Sequence, residues 1–408
     1  MSANVLLISP GFPDEMPLFT RALARVGATV YGIGDTPAGA LDEDVRASLA
    51  EYRAMRDLWS EDAMIDEVRS WLRGKRVDRI ECLWEPGVVL AARLREAFGV
   101  PGLGVEQAIA FRDKERMKEV LDAAGIRTPR HARAKTEAEV REAAARIGFP
   151  IIVKPIAGAG SADTYEVRGA DELAPVLRAV RHVPEVSVEE FIEGEELTYD
   201  TVCGNGEVLF ENVAWYRPKP LVARLNEWIS AQAICLRDLE RPEIAVGVDL
   251  GRRVIEALGF TSGFTHMEWF RTPAGEAVFG EIGARSPGGR LVHVMNHACD
   301  ADLFTSWAEA VCRGTLSQDT TKLYNAGVVF KRARGGGPRI TRVEGLDRIL
   351  SRFGEHVVNI QLPPLGAPRR DWRQIVSGDG WLVARHPDLD RCAEILDAIG
   401  VELTLHAD

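Results

Sequence analysis

Short apolar runs alternate, along the first hundred residues, with segments in which apolar side chains recur every three or four positions. The runs predict strands and the periodic segments predict helices. The predicted strands are 5–8, 29–31 and 79–84, and the predicted helices are 17–26, 62–72 and 88–98. Strands that alternate with helices in this way are typical of a parallel sheet with helices on both faces. The sequence therefore predicts an α/β fold that begins with a doubly wound parallel-sheet domain over residues 1–105.

The pattern changes after residue 105. Asp113 is placed to cap one helix, and Thr136 with Glu139 forms a capping box for the next. Further strands are predicted at 151–154, 187–192, 197–203 and 208–215, followed by a hairpin over 264–283 and a long helix to about residue 312. We expect two lobes of α+β character, at 106–186 and 187–315, and a small mixed carboxy-terminal unit at 316–408.

Composition narrows the classes of function. The chain has 408 residues, of which 46% are hydrophobic and 27% charged, as in soluble globular proteins of several domains. Its 61 acidic and 50 basic residues leave a net charge of -11, which argues against nucleic acid or an anionic membrane as a partner. No signal peptide or membrane-spanning stretch is evident, and the six cysteines are scattered without CxxC pairs. We expect a cytoplasmic protein without a structural zinc site.

The second hairpin carries the most informative carboxylates. Glu268 and Glu281 are equidistant from a turn centred on residues 274–275, so they are predicted to lie opposite each other, about 5 Å apart. The same register pairs Phe270 with Phe279 and His266 with Gly283. Facing carboxylates need a counter-cation or a shifted pKa, and Mg²⁺ is often held by such a pair together with phosphate oxygens. A register slip would instead give an ordinary solvated face.

Paired carboxylates are also found in retaining glycosidases. That alternative gives no role to two lysines that precede the hairpin. Lys154 ends an apolar strand just before a small-residue loop that contains Gly158, Gly160 and Ser161. Lys114 lies on the first turn of the helix that Asp113 caps. An ammonium group and loop N–H groups together suit a phosphate, although each feature alone has an ordinary explanation as a solvated lysine or a tight turn.

Two further segments contain candidate site residues. Residues 187–196 read as a strand that leaves a sheet, exposes backbone groups and then offers a carboxylate at Glu196. Arg285 follows Glu281 by four residues and precedes Gly288 and Gly289, which admit a ligand close to the backbone. Arg285 could neutralise developing negative charge there, or it could form a structural ion pair.

Taken in order, these motifs resemble the ATP-grasp superfamily over about residues 105–315. The run Glu-Ile-Gly-Ala-Arg-Ser-Pro-Gly-Gly from residue 281 is most similar to the carboxylate–amine ligase branch that includes L-amino-acid ligases. The resemblance implies ATP as cofactor with Mg²⁺, or Mn²⁺ in its place. It assigns the residues as follows: Lys114, Lys154, Gly158, Gly160 and Ser161 at the phosphates, Glu189, Phe191 and Ile192 at adenine, Glu196 at the ribose, Glu268 and Glu281 at the metal, Gly288 and Gly289 at the substrate, and Arg285 and Lys154 in catalysis.

The implied reaction joins a small carboxylate, such as an amino acid, to an amine through an acyl phosphate, with release of ADP and phosphate. Many relatives carry Asn where this chain has Gly283, so a metal ligand is lost or is replaced by His266 or water. Two alternatives stay open: a carboxylase that uses bicarbonate through carboxyphosphate, and a non-catalytic nucleotide-binding protein. The resemblance also suggests a homodimer, while the sequence leaves both substrates unidentified.

Overall fold

A computed structural model of the chain describes residues 2–58, 60–157, 163–372, 375 and 377–408. The strands are β1 (Asn4–Ile8), β2 (Thr29–Gly34), β3 (Glu51–Ala54), β4 (Arg79–Glu81), β5 (His131–Ala134), β6 (Ile151–Pro155), β7 (Tyr165–Val167), β8 (Val186–Glu190), β9 (Glu195–Gly204), β10 (Glu207–Asn212), β11 (Ala214–Arg217), β12 (Gln232–Cys235), β13 (Gly263–Arg271), β14 (Ala277–Gly283), β15 (Asn325–Lys331), β16 (Arg342–Glu344), β17 (Val357–Gln361), β18 (Gly380–His386) and β19 (Thr404–His406).

The α-helices follow the same order along the chain. They are α1 (Met16–Arg25), α2 (Glu43–Ser48), α3 (Glu61–Trp71), α4 (Val88–Phe98), α5 (Val105–Ala110), α6 (Lys114–Ala123), α7 (Glu137–Ile147), α8 (Ala170–Ala179), α9 (Pro220–Leu225), α10 (Pro242–Ala257), α11 (Leu291–Cys299), α12 (Leu303–Arg313), α13 (Leu346–Phe353) and α14 (Leu389–Glu402). Within the described residues, no helix combines the length and the hydropathy needed to cross a membrane.

The amino-terminal domain is a parallel sheet in the order β3-β2-β1-β4, which confirms the predicted α/β fold. Leu6 and Leu7 of β1 are fully buried because helices cover both faces of a parallel sheet. The edge strand β3 was not predicted, since its short sequence Glu-Tyr-Arg-Ala is largely exposed and lacks an apolar run. β1 and β4 are neighbours, so the loops that follow them lie side by side.

The small lobe is an antiparallel sheet in the order β5-β8-β6-β7, packed against α7 and α8. Both predicted caps are confirmed: Asp113 accepts hydrogen bonds from two N–H groups of α6, and Thr136 forms a capping box with Glu139. β8 belongs to this sheet, so Glu189 lies on the small lobe, whereas the sequence reading began the large lobe at residue 187.

The large lobe is a sheet in the order β14-β13-β9-β11-β12-β15-β18-β17, with β10 paired to β9. Three of these strands, β15, β17 and β18, come from the predicted carboxy-terminal unit, which therefore extends the large sheet. α10 and α14 cover one face, while α11 and α12 cover the other. On that second face Phe19 of α1 packs edge-on against Trp307 of α12, with ring centroids 5.1 Å apart, and joins the amino-terminal domain to the large lobe.

The long helix predicted before residue 312 is two helices. Asp300 has a left-handed backbone, with φ of 52°, and ends α11. Asp302 then caps α12 by accepting hydrogen bonds from the N–H groups of Phe304 and Thr305. The break was missed because apolar periodicity continues through both helices.

The hairpin of β13 and β14 keeps the predicted pairing at the end away from its turn. Glu268 lies opposite Glu281 and His266 opposite Gly283, but the predicted pair of Phe270 with Phe279 is wrong. A bulge shifts the register, so Trp269 pairs with Phe279 and both are buried under α10. Gly280 is the extra residue, and a Cβ atom there would lie 2.7 Å from the Glu268 carbonyl oxygen.

We predict that Gly247→Ala destabilises the large lobe. A Cβ at Gly247 would lie 2.0 Å from the ring of Trp269, where α10 approaches the sheet. Overpacking of this kind costs about 1–3 kcal/mol of unfolding free energy, which urea denaturation measures. Gly39→Ala is the matched control, because a Cβ there meets nothing within 4 Å. Equal stability of the two variants would contradict the assigned close packing.

Candidate active site

Two lysines of the small lobe point at the large lobe. Lys114 is the first residue of α6, and Lys154 lies near the end of β6, opposite Ser187 of β8. Their side chains are 8% and 14% exposed, so both ammonium groups are largely desolvated. The backbone N–H of Lys114 donates to the carbonyl of Ile156, two residues after Lys154, and this bond fixes the two segments together.

The large lobe presents a row of carboxylates to these lysines. Glu196 and Asp200 of β9, Glu268 of β13 and Glu281 of β14 lie on one face of the sheet, as the strand register requires. Their neighbours on the opposite face, such as Trp269, pack in the core. The alternation of polar and apolar positions therefore creates an acidic face directly above a hydrophobic core.

The lobes meet through ion pairs between the two sets. Lys114 Nζ lies 3.1 Å from Glu281 Oε2, and Lys154 Nζ lies 3.9 Å from the same oxygen. Burial alone would lower the pKa of Lys154, but the carboxylates of Glu189 and Glu281 raise it to about 12. Burial would raise the pKa of Glu281, yet Lys114 and Lys154 lower it to about 2. The predicted phosphate lysines and metal glutamates therefore form one charged cluster.

Lys118 is a member of this cluster that the sequence reading missed. It is fully buried one helical turn after Lys114, and its Nζ lies 2.8 Å from Glu189 Oε1. The other oxygen of Glu189 lies 3.0 Å from Lys154 Nζ. Burial would raise the pKa of Glu189, but the two ammonium groups hold it well below its usual range. The signal in the sequence was a lysine at an apolar-stripe position of α6, between Met117 and Leu121.

Glu189 also shows how the predicted adenine segment is built. Its backbone lies inside the small sheet, paired with His131 and Ile152, while its side chain forms ion pairs with Lys118 and Lys154. Phe191 follows the strand, and its N–H donates to the Pro150 carbonyl at 3.1 Å. Ile192 is buried beyond it. The assignment of these three residues to adenine stays a prediction.

Glu196 lies near Glu268 on this face, and the two carboxyl groups repel each other when both are ionised. Burial and the carboxylate of Glu268 raise the pKa of Glu196 to about 8, and Lys219 offsets only part of this effect. The described part of the chain contains no group of three His, Cys, Asp or Glu side chains arranged to hold a metal. Glu268 and Glu281 are two hard oxygen ligands on an over-acidic face, so they fit a divalent cation whose coordination phosphate oxygens would complete.

His266 lies opposite Gly283, at the position predicted to replace the missing ligand. Its Nδ1 lies 2.6 Å from Oδ1 of Asp200, a fully buried carboxylate that also accepts hydrogen bonds from Thr198 and Asn212. Burial would lower the pKa of His266, but the Asp200 contact raises it to about 9. Asp200 thus holds Nδ1, while Nε2 lies 3.7 Å from Glu268 Oε1. The role of His266 beside the metal position stays a prediction.

Arg285 is held by the amino-terminal domain. Its Nε donates to Glu85 Oε2 at 2.8 Å, and the other oxygen of Glu85 accepts from Arg112. Glu85 follows β4, and the sequence offered no signal for it beyond its place after a parallel strand. Gly289, with φ of +62°, turns the chain directly before α11. The predicted phosphate-loop residues Gly158, Gly160 and Ser161 lie outside the described residues.

Comparison with known proteins agrees with this geometry. Residues 111–214 match the model of the ATP-grasp domain family. The chain carries an ATP-grasp domain. The resemblance predicted from the order of the motifs is thus confirmed, and Lys114, Lys154 and Glu189 all fall within the matched region.

Individual proteins extend the match. The chain is 28% identical over 236 residues to an L-arginine-specific L-amino acid ligase of Bacillus subtilis, covering 56% of each chain. It therefore spans about half the length of that relative. In structure it is similar to an L-amino acid ligase of Bacillus licheniformis, with a TM-score of 0.79, 20% identity and coverage of 100% and 99%. An N5-carboxyaminoimidazole ribonucleotide synthetase of Thermotoga maritima has a TM-score of 0.73, 18% identity and full coverage of both chains. At these identities the solved structures establish the shared fold.

We predict that Lys118→Met lowers the unfolding free energy by about 3 kcal/mol, because it leaves a buried carboxylate with one partner fewer. Urea denaturation measures the change. Arg116→Met on the same helix is the control, since its ion pair with Glu119 is about half exposed and is worth at most about 0.5 kcal/mol. Equally small effects of both changes would contradict the role given to Lys118.

We also predict a pH-dependent contribution from His131. Burial would lower its pKa, but hydrogen bonds to Glu115 at 2.7 Å and Asp122 at 3.0 Å raise it. A raised folded-state pKa stabilises fully below the unfolded value of about 6.5, and the gain is lost as pH rises through the folded value. The stability difference between wild type and His131→Gln should therefore be larger at pH 6 than at pH 9. A stability difference that does not change with pH would refute the contribution assigned to His131.

Proposed function

We propose that this protein is an ADP-forming carboxylate–amine ligase. The observation that supports the proposal best is the meeting of Lys114 and Lys154 with Glu281 across the two lobes, beside Glu268 and Arg285. Two cations on one side and two hard oxygen ligands on the other suit a nucleotide triphosphate with its metal. The sequence relationship to an L-amino acid ligase points to amide or peptide bond formation.

The lysines would act as phosphate anchors. Each now pairs with a carboxylate, so each is held as a charged group in a largely water-excluded site, where its interaction with phosphate is stronger than in water. Lys118 shares the charge of Glu189 with Lys154, which leaves part of the Lys154 charge available. Lys114 sits at the start of α6, where its own N–H group donates to the Ile156 carbonyl and so ties it to the segment that follows Lys154.

A Mg²⁺ ion bound by Glu268 and Glu281 would supply charge neutralisation for the transferred phosphoryl group. The protonated His266 and buried Asp200 fix the neighbouring strand and orient Glu268. Glu196, further along the same face, has a raised pKa and can share hydrogen bonds with sugar hydroxyls. These assignments use the chain's own residues and agree with the predicted set.

Arg285 would stabilise negative charge on the acyl phosphate and on the tetrahedral intermediate that forms when the amine attacks. Its guanidinium is placed by Glu85, so the amino-terminal domain fixes the geometry of a large-lobe residue. The attack forms the C–N bond, breaks the bond from carbon to the phosphate oxygen and releases phosphate, while the amine loses a proton. No covalent enzyme intermediate is needed.

The proposal is tested by phosphate and ADP release from Mg-ATP across a matrix of amino acids, small carboxylates and amines, with and without bicarbonate. Release that requires both a carboxylate and an amine, with a product lighter than their sum by one water, supports the ligase. Release that requires bicarbonate supports a carboxylase instead, and ATP binding without turnover on any substrate pair argues against catalysis.

We predict that Glu268→Gln lowers the rate of ADP formation by about 100-fold or more, because it removes a metal ligand next to the transferred phosphoryl group. Glu276→Gln is the control on the same hairpin, since Glu276 is about half exposed at its tip and pairs with Arg127. The control should keep its rate. Unchanged turnover in Glu268→Gln would exclude Glu268 from the metal site.

A further inference from the structure

A row of hydrogen-bonded side chains leads away from Lys154 through the small lobe, and the proposed mechanism gives most of it no role. Glu189, which pairs with Lys154 at 3.0 Å, also accepts a hydrogen bond from Ser187 Oγ at 2.8 Å. Ser187 Oγ contacts one oxygen of Glu115 as well, and the other oxygen of Glu115 lies 2.7 Å from Nδ1 of His131. The row therefore connects His131 to a proposed phosphate anchor.

The row is shielded from water over its whole length. Ser187 is fully buried, the side chains of Glu115 and Glu189 are each 4% exposed, and that of His131 is 12% exposed. Buried carboxylates depend on nearby cations and donors, because water does not compensate their charge. Hydrogen bonds in such a network also polarise one another, so a change at one member alters the next.

The geometry of His131 calls for a protonated ring. Nδ1 faces Glu115 at 2.7 Å, and Nε2 faces Asp122 at 3.0 Å. A neutral imidazole has one N–H group and donates to one of two carboxylates, whereas the imidazolium donates to both. Burial would lower the pKa of His131, but the hydrogen bond to Glu115 and then that to Asp122 raise it. His131 is thus the cation that pairs with the buried Glu115.

The other charges near His131 favour the same state. Carboxylates face it from the elements packed on this side of β5, and α6 also presents an ammonium group. These groups are Glu115, Asp122 and Lys118 on α6 and Glu189 on β8, while Arg133 of β5 itself is engaged by Asp113 and Glu185. The opposite face of β5, at Ala132 and Ala134, packs in the apolar core with α7.

Loss of the charge on His131 would redistribute the donors of the row. Ser187 has one hydroxyl proton, so it donates to one of the two carboxylates at a time. Lys118 pairs with Glu189, and its charge acts on Glu115 as well. A Glu115 without its imidazolium draws both donors toward itself. Glu189 then relies more on Lys154, which leaves less of the Lys154 charge for a phosphate.

We propose that His131 and Glu115 are positioning residues that set how strongly Lys154 binds the phosphates of ATP. Both act through Glu189 rather than on the nucleotide. The imidazolium neutralises Glu115, so Ser187 and Lys118 stay with Glu189 and Lys154 stays available. The inference rests on the nucleotide site of the proposed function and adds the residues behind that site that control its affinity.

The first measurement is nucleotide affinity. The non-hydrolysable ATP analogue adenylyl imidodiphosphate is titrated calorimetrically with Mg²⁺ into the full chain at pH 6. We expect His131→Gln to raise the Kd about three- to tenfold, the effect of one lost hydrogen bond to a charged partner. His182→Gln is the matched control in the same lobe, because His182 is 61% exposed and pairs with Asp163. An unchanged Kd in His131→Gln overturns the inference.

A double variant separates this role from a merely structural one. Glu115→Gln removes the carboxylate that needs the imidazolium, so Ser187 and Lys118 have no reason to leave Glu189. The variant His131→Gln with Glu115→Gln should therefore bind the analogue within about twofold of wild type. If His131 only supports the fold, removing a second buried partner brings no recovery. A double variant that binds as weakly as His131→Gln contradicts the proposed coupling.

The pH dependence tests the coupling without a change at His131. Because its pKa is raised, the ring is protonated at pH 6 and loses its proton as the pH rises through the folded value. We expect the Kd of wild type, divided by that of Glu115→Gln, to rise about three- to tenfold between pH 6 and pH 9. Titration of the analogue affects both proteins equally and cancels in the ratio. A ratio that stays the same refutes the link from His131 to Lys154.

Turnover distinguishes this inference from the proposed reaction. Wild-type protein that binds the analogue but releases no ADP with any substrate pair refutes the ligase function and leaves the binding results standing. Wild-type protein that turns over while His131→Gln keeps the wild-type KM for ATP supports the ligase and overturns the role of His131. Wild-type protein that does not bind the analogue overturns both.

Discussion

The arrangement of this protein depends on the balance between carboxylates on the large lobe and ammonium groups on the small lobe. Buried carboxylates on one face of a sheet repel one another, and removing them from water carries a cost that only nearby cations can offset. Lys114 from α6 and Lys154 from β6 provide these cations, so the charge balance exists only when these elements meet the large sheet. The cluster is therefore a major contact between these parts of the fold.

This constraint explains why the cluster extends beyond the residues that would touch a nucleotide. Lys118 and Lys154 each pair with one oxygen of Glu189, so this carboxylate stabilises two buried ammonium groups. His266 and Asp200 form a similar buried pair on the large lobe, beside Glu268.

The amino-terminal domain also contacts the large lobe near this cluster. Through Glu85 it orients Arg285, and through Phe19 it packs on α12, so its sheet edge is held against the reaction centre. The loop after β4 therefore contributes Glu85 to the cluster around Arg285.

The sequence by itself determined the alternation of strands and helices, the caps at Asp113 and Thr136, and the order of motifs that led to the ATP-grasp domain. These features are local. The predicted opposition of Glu268 and Glu281 is correct, but strand periodicity across the turn would place Glu268 opposite Gly280, since residues 269–271 pair with residues 277–279. Only the tertiary structure decided that Gly280 forms a bulge, because the close approach of the Glu268 carbonyl comes from the partner strand. The partners of Lys118 and Glu85 likewise depend on contacts between segments far apart in the chain, where the burial of a charge and the identity of its partner are set by packing that no local pattern records.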